Sequence, residues 1–344
     1  MKHYAGLDVS LEETSLCVVD GEGEVVAEVK VGSDPVLLAD ALAPWRGGLE
    51  RVGLEAGGLT PWLCRGLCDL GVPAVCIETR RMKAYAKASP VKTDRRDARL
   101  IALALRAGLY RAVHVKSEAS HKLRMALTGR QAVLRQARQL EGKIRGDLKV
   151  FGVKLGRVGS GGFAARVEAR LVARADLLAL VAPLLEVRAA QLARVRAYDR
   201  ELRRLAREDA LCRRLMTVPG VGVQTALAYR AVIETPRRFA RSRQVAPALG
   251  LTPRIEASGE RSCHGAITKA GDGLLRALLF EAANALLTRS RRCCALKRWG
   301  LEVAKRRGMN RARVAVARKL AIVLHRMWCD GSEFRWDAEP APAR

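Results

Sequence analysis

Aromatic residues make up only 4% of the 344-residue chain, too few for a single-strand binder that works mainly by stacking bases on Phe, Tyr or Trp. Acids are also scarce beside bases, 35 Asp and Glu against 62 Lys and Arg. No uncharged apolar run approaches the roughly 18 residues of a membrane-spanning helix. Met1-Lys2-His3-Tyr4 leads into a strand pattern, not into the apolar core of a signal peptide. None of the nine cysteines forms a CxxC pair: Cys64 and Cys68 are four apart, and Cys293 and Cys294 are adjacent. That spacing disfavours a zinc module and suits reduced thiols. A soluble, intracellular protein with no membrane partner is expected.

What is present is charge and apolar bulk. The formal net charge of +27 points to a polyanion, because each phosphate neutralised releases condensed counterions. Hydrophobic content of 49% is enough for cores in about two domains of roughly 150 residues each. The charge is unevenly spread. Residues 1–78 carry five basic residues against 13 acids, a net of −8, which leaves +35 for the rest. Two roles are implied: carboxylates gathered for cations, then a surface that holds phosphates.

Residues 4–10, 14–20 and 25–31 are β-rich runs separated by turn residues, a pattern that predicts an antiparallel meander. A helix over 35–45, a strand over 51–55, a helix over 59–70 and a strand over 73–77 follow. A helix over 93–107 is opened by Thr93 as N-cap. This β-β-β-α-β-α-β-α order is the ribonuclease-H-like order. From residue 117 the composition turns to Ala, Leu, Arg, Gln and Glu. Leu140, Ile144, Leu148 and Phe151 have helical spacing; Leu185 with Leu192 and Val195 with Leu202 are heptad pairs. Glycines between 152 and 162 break the run, so an antiparallel coiled-coil hairpin is expected. A third region starts at Val218-Pro219-Gly220-Val221-Gly222 and runs through a loop over 250–271 to helices over 274–288 and 312–328. The tail beyond Trp336 is expected to be disordered.

Four carboxylates stand out. Asp8 is in the first strand, Glu55 ends the fourth, and Asp94 and Asp97 share one helix face at i,i+3. In a ribonuclease-H-like sheet the first and fourth strands are central neighbours, so all four converge. Without a cation they repel; with Mg²⁺ they form a clamp on the attacking and leaving oxygens of a phosphodiester. Singly, each reads equally as a turn residue, a surface acid or a helix-dipole acid. Pro219-Gly220-Val221-Gly222 followed by Thr225-Ala226 reads as a helix-hairpin-helix turn whose glycines admit a DNA phosphate, or as a tight packing turn. The hydroxyl-rich stretch 256–271 offers Ser258, Ser262 and Thr268 as nucleophiles, with Arg261, His264 and Lys269 to balance phosphate charge, and on composition alone reads first as a turn with ordinary turn serines. Composition alone does not rank them.

Five motifs in this order resemble a family. They are Leu54-Glu55-Ala56-Gly57-Gly58, Lys92-Thr93-Asp94-Arg95-Arg96-Asp97-Ala98-Arg99, Val218-Pro219-Gly220-Val221-Gly222, Leu249-Gly250-Leu251-Thr252-Pro253-Arg254, and Ser258-Gly259 ahead of Ile267-Thr268-Lys269-Ala270-Gly271. With the Tyr4-Ala5-Gly6-Leu7-Asp8-Val9-Ser10 opening, the chain resembles the insertion sequence 110 family of DEDD transposases, which includes the RNA-guided bridge recombinases. The resemblance spans nearly the whole chain. One departure is Gly57-Gly58, where many members carry a threonine after Glu-Ala.

The resemblance implies a RuvC-like DEDD domain over 1–116, a coiled-coil linker and dimerisation region over 117–210, a helical transposase domain with a serine nucleophile over 211–336, and a tail over 337–344. It implies Asp8, Glu55, Asp94 and Asp97 as Mg²⁺ ligands and Ser258 as the nucleophile that forms a covalent phosphoserine link. Gly220, Gly222, Arg254, Arg261 and Lys269 would contact nucleic acid. The partners implied are DNA, as element ends and target, a structured noncoding guide RNA, and further copies of the chain in a homodimer or homotetramer. Two other readings stay open on the residues alone: a junction-resolving endonuclease that uses water, and a non-catalytic nucleic-acid binder.

Overall fold

The computed structural model describes residues 1–86, 93–258 and 261–336. Lys92 of the second motif, Gly259 and Glu260 beside Ser258, and the tail over 337–344 lie outside the described residues. So do the side chains of Ser258, Arg261, Ser262 and His264. The chain divides into two compact units, Met1–Lys116 and Ser117–Arg344.

The first unit contains β1 (His3–Val9), β2 (Glu13–Val19), β3 (Val25–Gly32), α1 (Pro35–Leu42), β4 (Leu49–Glu55), α2 (Thr60–Asp69), β5 (Ala74–Ile77), α3 (Thr79–Ala86) and α4 (Asp94–Arg106). The strands form one sheet in the order β3-β2-β1-β4-β5. β1 pairs antiparallel with β2 and parallel with β4, in the register Leu7↔Leu54. Side chains alternate between the two faces of a strand, and both faces are covered. Ala5, Leu7, Leu16, Val18, Val52 and Leu54 pack with Leu38, Leu42, Leu63 and Leu67 of α1 and α2. Cys17 and Val19 pack on the opposite face against Ala98 and Ala102 of α4. The unit is mixed α/β with the strand order of a ribonuclease-H-like domain.

Two elements depart from expectation. The helix predicted over 35–45 ends at Leu42 and tightens into a 3₁₀ turn, Ala43–Gly48. Pro44 has no N–H to continue the ladder, and Gly47-Gly48 does not favour a helix. α3 is unexpected because, among the described side chains of its Thr-Arg-Arg-Met-Lys-Ala-Tyr-Ala sequence, only Met82 is deeply buried, too little to produce an apolar stripe.

The second unit contains α5 (Glu118–Val150), α6 (Phe163–Leu171), α7 (Ala175–Glu208), α8 (Ala210–Leu215), α9 (Val223–Ile233), α10 (Val245–Ala248), β6 (Pro253–Ser258), β7 (Arg261–Ile267), α11 (Gly273–Thr288), α12 (Ala295–Arg307) and α13 (Met309–Asp330). α5 and α7 run antiparallel, tied by ion pairs from Arg130 to Asp199 and from Arg188 to Glu141. Arg188 is only 4% exposed. It keeps its charge satisfied with Glu141 and Ser160 and lies over the Phe163 ring, 4.9 Å from its centroid. Phe151 departs from the expected apolar seam: it caps α5, is 52% exposed and sits under Arg174. Gly152, at φ +75°, carries the chain out of the helix there.

Helices α8 to α13 share one large core that includes Tyr229, Leu275, Leu279, Val316 and Leu320. The Tyr229 hydroxyl, wholly buried, donates to the Ala321 carbonyl at 2.7 Å. The segment over 250–271 is not the irregular loop expected. It contains an antiparallel hairpin, β6–β7, in the register Ser258↔Arg261 and Ile255↔His264. Ile255 is 62% exposed, and among the described side chains of the two strands none is buried to mark a core-facing side.

Candidate active site

Gly6 of β1 and Gly53 of β4 are register partners, and both face α4. A Cβ on Gly6 would lie 2.0 Å from the Ala98 carbonyl oxygen; one on Gly53 would lie 2.7 Å from the Leu105 side chain. Bare glycine on both strands lets the helix approach this closely. Two residues further along each strand, on the same face, stand Asp8 and Glu55 at the ends of adjacent parallel strands. α4 packs through Ile101 and Leu105, and Asp97 stands one turn before Ile101 on that stripe. The Thr93 hydroxyl caps the helix by accepting from the Arg96 N–H at 3.3 Å. Arg95 anchors the first turn to β3 through an ion pair with Glu28.

Glu55 records this convergence. Burial raises its pKa, and the negative charges of Asp8 and Asp97 raise it further; Lys83 of α3 and a hydrogen bond with Thr79 oppose them. Asp94 is exposed, one turn nearer the helix start than Asp97. Three of the four expected carboxylates thus share one electrostatic neighbourhood, with the fourth at its rim. Among the described residues no three His, Cys, Asp or Glu side chains stand close enough to hold a metal ion as they are. The donor set is nonetheless all hard oxygen, and like charges crowded at half-buried positions favour either a proton or a cation.

The loop after Glu55 is tied by Thr60. Its hydroxyl donates to the Glu55 carbonyl and accepts from the Gly57 N–H at 3.0 Å. This threonine, 2% exposed, secures the turn at the Gly57-Gly58 departure. Thr79 and Lys83 on α3 are neighbours of Glu55 that sequence reasoning missed, since α3 itself carried no signal.

In the second unit, Gly220 has φ +88°, and a Cβ there would meet the Ala282 carbonyl at 2.3 Å. Packing on α11 therefore accounts for this glycine. Gly222 faces open space at the start of α9. Arg254, on β6, and Lys269, at φ +55°, are exposed.

The base of the hairpin is a backbone crossing. A Cβ on Gly250 would lie 2.3 Å from the Ala270 nitrogen, and one on Gly271 would lie 2.0 Å from the Ala248 carbonyl oxygen. The Arg276 guanidinium on α11 donates to the Leu249 carbonyl at 3.0 Å and the Ala270 carbonyl at 2.9 Å. Asp272 caps α11 and pairs with Arg124 of α5. These contacts fix a neck from which β6 runs out to Ser258.

Two family models match the chain: a DEDD-type transposase model over residues 5–152, and the transposase IS116/IS110/IS902 family over residues 212–297. The transposase for insertion sequence element IS1111A of Coxiella burnetii is 31% identical over 326 residues, covering 93% of this chain and 87% of that protein. A probable family 20 transposase of Pseudomonas aeruginosa is 33% identical over 283 residues, covering 79% of this chain and 82% of its own length. The putative transposase y4pF/y4sB of Sinorhizobium fredii is 29% identical over 293 residues, covering 83% and 74%. With a ribonuclease-H-like strand order in one unit and a helical second unit matched by the same group, the chain belongs to the IS110 family of transposases and is a DNA transposase.

Proposed function

We propose that the protein is a site-specific DNA recombinase that mobilises its own element with divalent-metal assistance at Asp8, Glu55, Asp94 and Asp97 and with Ser258 as nucleophile. The observation that carries this reading is the placement of Asp8, Glu55 and Asp97 on one face, where α4 settles on Gly6 and Gly53. Mg²⁺ suits these oxygen donors and, when bound, supplies positive charge that stabilises the transferring phosphoryl group. The chain's own residues orient the carboxylates and partly offset the raised pKa of Glu55. Thr79 and Lys83 favour the charged form of Glu55, and the Thr93 cap holds the first turn of α4 that carries Asp94 and Asp97.

In the covalent step the Ser258 hydroxyl gives up its proton and its oxygen bonds to the phosphorus. The bond from phosphorus to the departing deoxyribose oxygen breaks, and that oxygen takes up a proton. The ester conserves the phosphodiester energy for rejoining. The neck at Gly250, Gly271 and Arg276 supports such a role by fixing the root of β6. In this reading residues 1–116 form the metal-dependent domain, 117–210 the assembly hairpin of a dimer or tetramer, and 211–336 the domain with the nucleophile. Arg254, Arg261 and Lys269 contact nucleic acid beside the hairpin, as does Gly222 at the start of α9; Gly220 supports that turn. A guide RNA as partner is supported by the large basic excess of the chain and by its family membership.

Ser258→Ala abolishes excision and the covalent protein–DNA adduct on a denaturing gel while nucleic-acid binding stays within about twofold. Normal recombination by that variant overturns the assignment. Asp94→Asn lowers metal-dependent activity by at least about a hundredfold, and sequencing of copurifying RNA tests the guide.

A further inference from the structure

α13 buries one side in the core through Ala312, Val316, Leu320 and Leu324. Its other side faces a groove of about 1390 Å³, walled by the base of the β6–β7 hairpin, the start of α12 and the segment after α13. The floor is apolar and half-buried: Val314, Ala315, Ile322 and Val323, with the flat side chains of Trp299 and Phe334 in the walls. Lys319 lies over the Trp299 ring, 5.2 Å from its centroid. Seven basic residues line the groove against two acids, and one of those acids, Asp330, pairs with Arg326 at 3.8 Å. Among the described residues Arg243, Arg307, Arg311 and Arg318 have no acidic partner. An apolar floor between unpaired bases matches a ligand with planar apolar faces and a polyanionic edge.

We infer that this groove binds an unpaired stretch of DNA strand, with phosphates on the arginines and bases against Trp299, Phe334 and the α13 floor. A duplex offers phosphates but keeps its base faces stacked, so the floor adds nothing for it; unpaired nucleotides use both surfaces. Aromatics are sparse in the chain as a whole, but two are gathered here. DNA is the commitment because the established activity acts on DNA, and strand exchange exposes unpaired nucleotides beside the cut. The wall formed by Pro253, Gly265, Ala266 and Ile267 is the root of the hairpin, with Ser258 about 17 Å further along β6. A strand held at the root is therefore led towards the tip. That link to the tip rests on the nucleophile reading above; the groove itself does not.

Arg311 and Arg318 are exposed, so Arg311→Glu with Arg318→Glu removes charge without disturbing the core. In the full-length protein, anisotropy with a short fluorescent single-stranded DNA is expected to show about tenfold weaker binding and a shallower salt dependence, while a duplex of the same sequence changes less than about threefold. If the double variant does not fold, Arg318→Gln alone is expected to weaken single-strand binding about threefold. DNA carrying 5-iodouracil should cross-link to Trp299 or Phe334. Equal losses for single strand and duplex, unchanged single-strand binding, cross-links only elsewhere, or RNA of that sequence bound at least about tenfold more tightly than DNA would each overturn the inference. Ser258→Ala separates the two readings: it retains single-strand binding if the groove is right, whatever becomes of its recombination.

Discussion

The carboxylate cluster and the Ser258 hairpin each lie beside a pair of glycines that let neighbouring elements pack closely, yet they are mounted differently. Gly6 and Gly53 sit in a sheet covered on both faces, and α4 lies on them with Ile101, Ala102 and Leu105 buried. Gly250 and Gly271 form a crossing from which two strands leave the core, with Ile255 largely exposed. The first arrangement fixes charged groups to about the precision of a packed core; the second fixes only the root of an arm. Carboxylates that share a cation need the former. On the proposed function, a nucleophile that must meet DNA is served by the latter, since a local neck can set the direction of the arm.

The sharpest way to break this contrast is to add one methyl group at each site. In Gly6→Ala the new Cβ must displace α4, because the Ala98 carbonyl stands 2.0 Å away, and the two covered faces of the sheet leave no room for retreat. A loss of about 3 kcal/mol in chemical denaturation, together with loss of transposition, is expected. Gly250→Ala meets a similar overlap, 2.3 Å from the Ala270 nitrogen, and adds strain at φ +65°. None of the described hairpin side chains is buried, so less packing resists the displacement and the expected cost is smaller, about 2 kcal/mol. Transposition is lost here too, by misdirection of the arm. Equal stability losses at the two sites would mean that the hairpin is as firmly embedded as α4.

Arg276→Ala probes the neck more gently. Losing its bonds to the Leu249 and Ala270 carbonyls leaves part-buried acceptors unmet, at a cost of about 1 kcal/mol. Amide exchange at Thr268 and Lys269, whose N–H groups donate to Thr252 and Gly250 across the neck, should accelerate while the Tyr229 core stays protected. If exchange in the core rises equally, the neck is part of the global fold and not a local device.

What the sequence disclosed follows the same division. The position of Asp8 and Glu55 on neighbouring strands was legible because the runs of strand and helix residues follow one another in a recognisable order, and the observed sheet sets β1 beside β4. The reason for Gly6 and Gly53 was not, since a glycine in a strand reads as weakening until the helix above it is known. α3 escaped because Met82 is the one deeply buried anchor among its described side chains. The hairpin escaped because Pro253 and Gly265 read as loop residues and none of its described side chains is buried to mark a core-facing side. The α13 groove was hidden for a different reason: its apolar and basic residues come from α12, α13 and both strands, and no single segment shows them together.

The smallest expected effect tests whether the packed site is built for a cation. Burial and the charges of Asp8 and Asp97 raise the Glu55 pKa in the fold, so between its ordinary and raised values the folded chain holds more of that proton than the unfolded chain does. Stability contributed by this group therefore falls as pH rises through that window and stays low above it. Asp8→Asn should flatten this fall, seen in thermal melting across the window in the presence of a chelator. Mg²⁺ added at neutral pH should raise the melting temperature of the wild-type chain slightly, with the effect fading as pH drops and Glu55 protonates. The same addition to Asp97→Asn should do less. A wild-type melting curve indifferent to both pH in this range and Mg²⁺ would mean that crowding at α4 is tolerated without a cation, and the packed site would lose the feature that sets it apart from the arm.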